Sequence, residues 1–220
     1  MGGTGVFLLT VEDGTNRGGD FIMSKDNYGW ASPAPAGLVA LAIACFTFFA
    51  LQTGRVEHSA APLLGVWLLG GAIVQVIVGV IELREGQIVG GNVFTFFSAF
   101  FMFVTGSELL LKTLLASKGI AFDARLDGWA WLVLCIALTT WAPAYILKAA
   151  KSMAFLIIAI TPAVWIVCLT DLTVIAKTWV PCAGWLLLIT GIFGLYTAAA
   201  IVLNTTFGKA ILPTGSPFMK

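Results

Sequence analysis

The 220-residue chain is 59% hydrophobic and only 10% charged, with a formal net charge of +1 and a mean hydropathy of +0.98. Soluble domains carry about 25% charged residues, so this composition excludes a water-solvated globule. The near-zero net charge argues against nucleic acid as a partner and against strong surface steering of any ligand.

Taken in chain order, the first segment is a polar tail over residues 1–31. Its opening, MGGTGVFLLTVEDGTNRGGDF, has no basic n-region and only the short apolar patch Val6 to Leu9, so it does not read as a signal peptide. Met23 opens SKDNYGW, which leaves residues 1–22 readable either as tail or as the product of an upstream start. Six apolar runs follow, each long enough to cross roughly 30 Å of hydrocarbon. They predict an all-α integral membrane protein with transmembrane helices at about 34–53, 61–82, 93–113, 128–147, 153–170 and 181–203. The connections QTGRVEHS, LREGQIVGGN, KTLLASKGIAFDARLDG, KAAKS and DLTVIAKTW are too short for domains, so residues 32–208 form one bundle and 209–220 a C-terminal tail.

SPAPAGL at 32–38 opens the first span. Pro33 and Pro35 cannot donate backbone hydrogen bonds and belong in an extended entry or a first helical turn. Ser32 suits an N-cap, and the free N–H groups behind it could meet an anion; a plain helix start at the membrane surface is the simpler reading. In the second span, Gly71, Gln75, Gly79 and Glu82 fall within about 80° of one helical face. That face reads either as a tight helix–helix seam with Gln75 bridging backbones, or as the wall of a polar pathway with Glu82 at its mouth.

The third span, NVFTFFSAFFMFV, is dense in phenylalanine, which suits packing, lipid contact or an apolar gate. Glu108 lies deeper and needs a partner, most simply Lys112 at i+4. The fifth span carries Thr161-Pro162 at its middle, where proline frees a carbonyl and kinks the helix, and Asp171 closes it at the interface. Lysine and arginine are split seven (Arg17, Lys25, Arg84, Lys148, Lys151, Lys209, Lys220) to five (Arg55, Lys112, Lys118, Arg125, Lys177), which favours both termini in the cytoplasm. Cys45, Cys135, Cys168 and Cys182 lack metal-ligand spacing and read as small buried apolar residues. The one histidine, His58, falls between spans and excludes bis-imidazole haem. No metal and no cofactor is implied.

An ordered set of motifs resembles the acetate uptake transporter (succinate–acetate permease, YaaH-type) family. SPAPAGL resembles that family's NPAPLGL signature. Gln75, Gly79, Glu82 and Gly86, then Phe94 and the aromatic run, are similar to its second and third helices. Ala183-Gly184-Trp185, Gly191, Tyr196 and LNTTFGKAILPTG at 203–215 match its end. The likeness covers Ser32 to Gly215. It implies a six-helix protomer of a ring-shaped homohexamer in the inner or plasma membrane, with one path per protomer for acetate and related monocarboxylates, in some members succinate. It also implies a hydrophobic constriction at Leu41, Phe97 and Ile160, with polar groups at Gln75, Glu82 and Thr161.

Ser32 stands for the family's Asn and Ala36 for its Leu, while Leu41, Phe97 and Ile160 stand for Phe, Tyr and Leu. A slightly wider, less polar constriction that admits propionate is therefore expected. Such a path fits channel-like anion passage, with donors such as Ser32, Gln75 and Thr161 around the neck, and it fits proton symport, with Glu82 and Glu108 as coupling groups. A urea- or amide-type channel for neutral solutes is the rival transport reading. An intramembrane enzyme lacks a nucleophile–base pair or ligand set.

Overall fold

The computed structural model describes residues 30–219; the tail before Trp30, with Met23, Arg17 and Lys25, lies outside them. All six expected spans are present as helices long and apolar enough to cross a membrane. They are α1 (Ala34–Gln52), α2 (Ala61–Arg84), a composite third span, α5 (Arg125–Lys148), α6 (Lys151–Asp171) and α7 (Val180–Phe207). The third span comprises α3 (Ile88–Phe96), a π-helical segment (Phe97–Val104) and α4 (Thr105–Ser117). In hydrocarbon every backbone polar group must find an internal partner, and helices supply it within each segment.

α1 packs against α7 and α2; α6 packs against α5 and α7; α2 carries the third span. α1 thus joins two groups of helices, and a seam runs between the third span on one side and α5 and α6 on the other.

Small residues let α2 and the third span approach at backbone distance. A Cβ added at Gly65 would lie 2.7 Å from the Gly106 carbonyl, and one at Gly106 would lie 2.8 Å from the Gly65 carbonyl. Further along, a Cβ at Gly79 would sit 3.0 Å from the Gly91 carbonyl. The predicted face of α2 holds: Gln75, Gly79 and Glu82 are buried, whereas Ile73, Val76, Ile77 and Val80 are exposed for lipid contact.

Three features depart from the sequence reading. The third span begins at Ile88 rather than 93, because Gly91 and Thr95 pack on α2, and it continues to Ser117 through the leucine-rich KTLLAS. Its middle is π-helical. Ser98 Oγ donates to the Ala72 carbonyl at 2.8 Å, and Thr105 Oγ1 donates to the Phe100 carbonyl, five residues back, at 3.2 Å. Third, Cys45, Cys135 and Cys168 are buried as expected, but Cys182 is exposed at the start of α7, where no neighbouring helix covers it. His58 lies in a short 3-10 turn between α1 and α2, as expected of a loop residue.

Gly208 adopts the left-handed conformation, φ 63°, and ends α7. The segment after it is strapped back across the bundle. Asn204 Oδ1 accepts the N–H groups of Ile211 and Leu212 at 2.7 and 3.0 Å, and the Tyr196 hydroxyl donates to the Pro213 carbonyl at 2.7 Å. The carbonyls of Gly215 and Thr214 then receive the first N–H groups of α6, from Lys151 and Ser152. Helix starts need such partners.

Replacing Gly65 with leucine is expected to cost about 1–3 kcal/mol by overpacking a backbone-to-backbone crossing, read as a lower Tm in detergent. Ile77→Leu on the lipid face is expected to leave Tm unchanged.

Candidate functional site

Two cavities open into the bundle from opposite ends. The larger, about 850 Å³, lies among the first turn of α1, the end of α2, the start of α3, the end of α5 and the last turns of α7. The smaller, about 100 Å³, lies among the end of α1, the π segment and α4, the start of α5 and the end of α6. α1, the third span, α5, α6 and α7 all contribute to both, and three of them carry the residues expected at the constriction. On α1, Leu38 lines the larger cavity and Phe48 the smaller; on the third span the pair is Phe94 and Phe101; on α6 it is Met153 and Ala163.

The three expected constriction residues occupy the intervals between those pairs. Leu41 lies between Leu38 and Phe48, Phe97 between Phe94 and Phe101, and Ile160 between Met153 and Ala163. All three are buried, at 6%, 5% and 1% exposure, within one apolar cluster. The phenylalanine run divides by face. Phe94, Phe97 and Phe101 turn inward, with 5.1 Å between the Phe97 and Phe101 centroids, while Phe100 and Phe103 face outward. Phe101 also meets Trp131 edge-on, at 5.8 Å and 86°, and Phe48 at 5.6 Å. An aromatic floor thus closes the smaller cavity on the neck side.

At the larger cavity, Glu82 is buried yet forms part of the wall, with Ser32, Tyr145, Lys148 and Lys209. Gly90 leaves the room that the Glu82 carboxylate occupies: a Cβ there would collide with Oε2 and would stand 3.3 Å from the Tyr145 hydroxyl. Ser32 lines this cavity but is not the N-cap, which is Pro33. The Ser32 hydroxyl accepts the Ala34 N–H at 3.3 Å, and the Ala36 N–H goes to the Pro33 carbonyl at 3.1 Å. Pro35 has no N–H, so the local chemistry of SPAPAGL serves its own helix start.

Gln75 and Thr161 line neither cavity. Gln75 is buried and its Nε2 donates to the Gly37 carbonyl at 3.1 Å, tying α2 to α1 one turn from Leu41, while its Oε1 has no partner. Thr161 Oγ1 donates to the Ile157 carbonyl at 2.8 Å within its own helix. Glu108 does line a cavity, the smaller one, and its expected partner is confirmed: Lys112 Nζ stands 3.3 Å from Glu108 Oε2.

Sequence reasoning missed several wall residues. Asp127 pairs with Lys112 from α5, but a lone aspartate at a span start gives no sign of a partner fifteen residues away. Asp171 ends its span as expected and also lines the smaller cavity, as does Gln52, whose Oε1 has no partner. Tyr145 carried a signal, being a phenol inside an apolar run. Asp123 lies exposed just before α5, where the Arg125 guanidinium hydrogen-bonds it and holds its carboxyl down to about 2. Among the described residues no group of His, Cys, Asp and Glu side chains could hold a metal ion.

Comparison with known proteins bears out the resemblance drawn from the motifs. The chain is 28% identical over 189 residues to the succinate-acetate/proton symporter SatP of Escherichia coli K12, covering 84% of this chain and 95% of that protein. The SatP of Shigella flexneri gives the same figures. No family model matches the chain. The solved structure of the bacterial acetate channel SatP superposes with a TM-score of 0.73 at 23% identity, covering 84% of this chain and 99% of that one, so the fold is shared.

A buried apolar interval between two cavities predicts a labelling pattern. With Cys182→Ser removing the exposed thiol, Ser32→Cys and Thr105→Cys are expected to react with an impermeant thiol reagent from opposite sides. Leu41→Cys is expected to stay unreactive from both.

Proposed function

We propose that this protein carries acetate and related short monocarboxylates through a path inside each protomer, narrowed at Leu41, Phe97 and Ile160. The observation that carries the reading is the pair of cavities that enter from opposite ends and stop on either side of a buried apolar interval that holds those three side chains. Similarity along 84% of the chain to succinate-acetate/proton symporters supports the substrate class. The shared fold of an acetate channel supports the architecture.

Moving a bare carboxylate into an apolar neck costs several kcal/mol even after relaxation, so the neck must be short and polar groups must wait on both sides. Ser32, Tyr145, Lys148 and Lys209 stand at one end, and Lys112 with Thr105 at the other. Gln75 belongs to the neck by position: it holds Gly37, and its unpartnered oxygen can accept a hydrogen bond from a protonated acid. Thr161, next to Ile160, sets the backbone of α6 there. Glu82 and Glu108 guard the two mouths and are the groups through which a proton would couple.

Among the described residues no carboxylate or histidine belongs to the apolar cluster that holds Leu41, Phe97 and Ile160, and this favours channel-like passage. Assembly as a ring-shaped homohexamer in the inner or plasma membrane follows from the resemblance. The lysine and arginine distribution supports cytoplasmic termini, which puts the larger cavity on the cytoplasmic side.

The deciding measurement is entry of labelled acetate into sealed liposomes with voltage and pH gradient set independently. Entry that follows voltage without a pH gradient is expected; accumulation driven only by inward proton flow would establish symport. Urea that competes with acetate would favour the neutral-solute reading. Leu41→Phe narrows the neck and Phe97→Tyr adds a phenol donor, so both variants are expected to raise the acetate-to-propionate flux ratio. Unchanged ratios in both would refute the wider-neck account.

A further inference from the structure

We propose that the Lys112 ammonium is the station for the substrate carboxylate in the smaller cavity, occupied in the empty protein by Asp127 and surrendered to the passing acid. The inference rests on the transport reading above and adds to it a residue, a competitor and an order of events.

Among the described residues Lys112 is the one cationic side chain on the wall of that cavity, against three carboxylates: Glu108 from its own helix, Asp127 from α5 and Asp171 from α6. It contacts two of them, Glu108 at 3.3 Å and Asp127 more closely. An ammonium has three hydrogens to donate, so one remains after both ion pairs. The Phe122 ring, 6.0 Å from Nζ, borders the ammonium as well. The second observation comes from α1. Gln52 lines the same cavity, and its Oε1 is shielded from solvent with no hydrogen-bond partner. An acceptor left in that condition is costly, and an occupant that brings a donor, a water carried with the carboxylate or the hydroxyl of the protonated acid, would relieve it.

Geometry also explains why Asp127 is the ligand to be displaced. Glu108 lies one helical turn from Lys112 and stays beside it whatever the neighbouring helices do. Asp127 stands on α5, and α4 has no extensive packing with α5. The contact across this seam is therefore an ion pair that a carboxylate of the same chemistry can replace. Exchange of one carboxylate for another keeps Lys112 paired throughout, which avoids the cost of a bare ammonium in a half-buried site.

A station and a mere brace predict different signs. If Lys112 holds the substrate and Asp127 competes for it, Lys112→Gln raises the KM for acetate uptake by about tenfold, the loss of one charge-assisted contact. Asp127→Asn, by removing the competitor, lowers KM by about threefold or more. Lys112→Arg keeps most of the affinity. If the pair only braces the helices, Lys112→Gln and Asp127→Asn break the same contact and shift KM and Tm in the same direction, which overturns the proposal. The assay uses the full chain in liposomes with labelled acetate at fixed pH and ionic strength, with Tm of each variant measured in detergent. Should Lys112→Gln fail to fold, Asp127→Asn decides alone: an unchanged or raised KM overturns the station. Wild-type liposomes that show no acetate entry would refute the transport reading itself.

Discussion

A carboxylate sheds its hydration wherever side chains close around it, and the rest of this structure is arranged around keeping that interval short. The apolar plug occupies about two to three helical turns on each of three helices, from Leu38 to Phe48, Phe94 to Phe101 and Met153 to Ala163. At roughly 1.5 Å per residue, the dry stretch is a fraction of the bilayer. The two cavities bring polar surface to either side of it, so the barrier is confined to Leu41, Phe97, Ile160 and their immediate neighbours.

The two ends solve the approach differently. The larger cavity has two lysines, one glutamate, a phenol and a serine on its wall, and the chain itself builds its rim: Asn204 and Tyr196 hold the segment after Gly208 so that Lys209 and Thr214 border the opening. The smaller cavity has one lysine among three carboxylates and is about one-eighth as large. An anion finds an open, mixed-charge basin at one end and, at the other, a single cation already in use. The ends therefore differ in how an anion must compete for its place, and that difference gives the path a direction-dependent chemistry even though its neck is symmetric in character.

The fold was largely legible because its dominant constraint is one-dimensional. Twenty apolar residues either cross hydrocarbon or do not, and all six runs do. The inward face of α2 was legible too, since glycine, glutamine and glutamate at helical spacing stand out against isoleucine and valine. Helix ends were less so: Ile88–Asn92 reads as a glycine-rich link, and only contact with α2 makes it helical. The π segment could not be foreseen, because FSAFFMFV has no composition that distinguishes it from α-helix. At the site, the proposed neck positions come from motif likeness, and Glu108 with Lys112 was legible through i+4 spacing. Asp127 and Gln52 reach the smaller cavity, and Tyr145 the larger, through three-dimensional packing on which local spacing carries no information. The donors named from sequence fared differently again: Gln75 and Thr161 are polar in an apolar setting because they serve the backbone, a use that residue type alone does not separate from ligand contact.

The neck also depends on a helix that supplies none of its three constricting side chains. α2 supplies neither Leu41, Phe97 nor Ile160, yet it holds two of their helices by side chain-to-backbone bonds. Gln75 takes the Gly37 carbonyl of α1 at 3.1 Å, and the Ala72 carbonyl receives Ser98 of the π segment at 2.8 Å. Each tie falls within about one turn of the neck residue on that helix. The third neck residue, Ile160, rides on α6, whose first N–H groups are held by the C-terminal strap. The three proposed neck side chains thus sit on three helices, and the side chains that place them sit elsewhere. Substitutions at Gln75 or Ser98 would therefore act on selectivity through the width of the neck, as the seam and pathway readings of that face merge into one role.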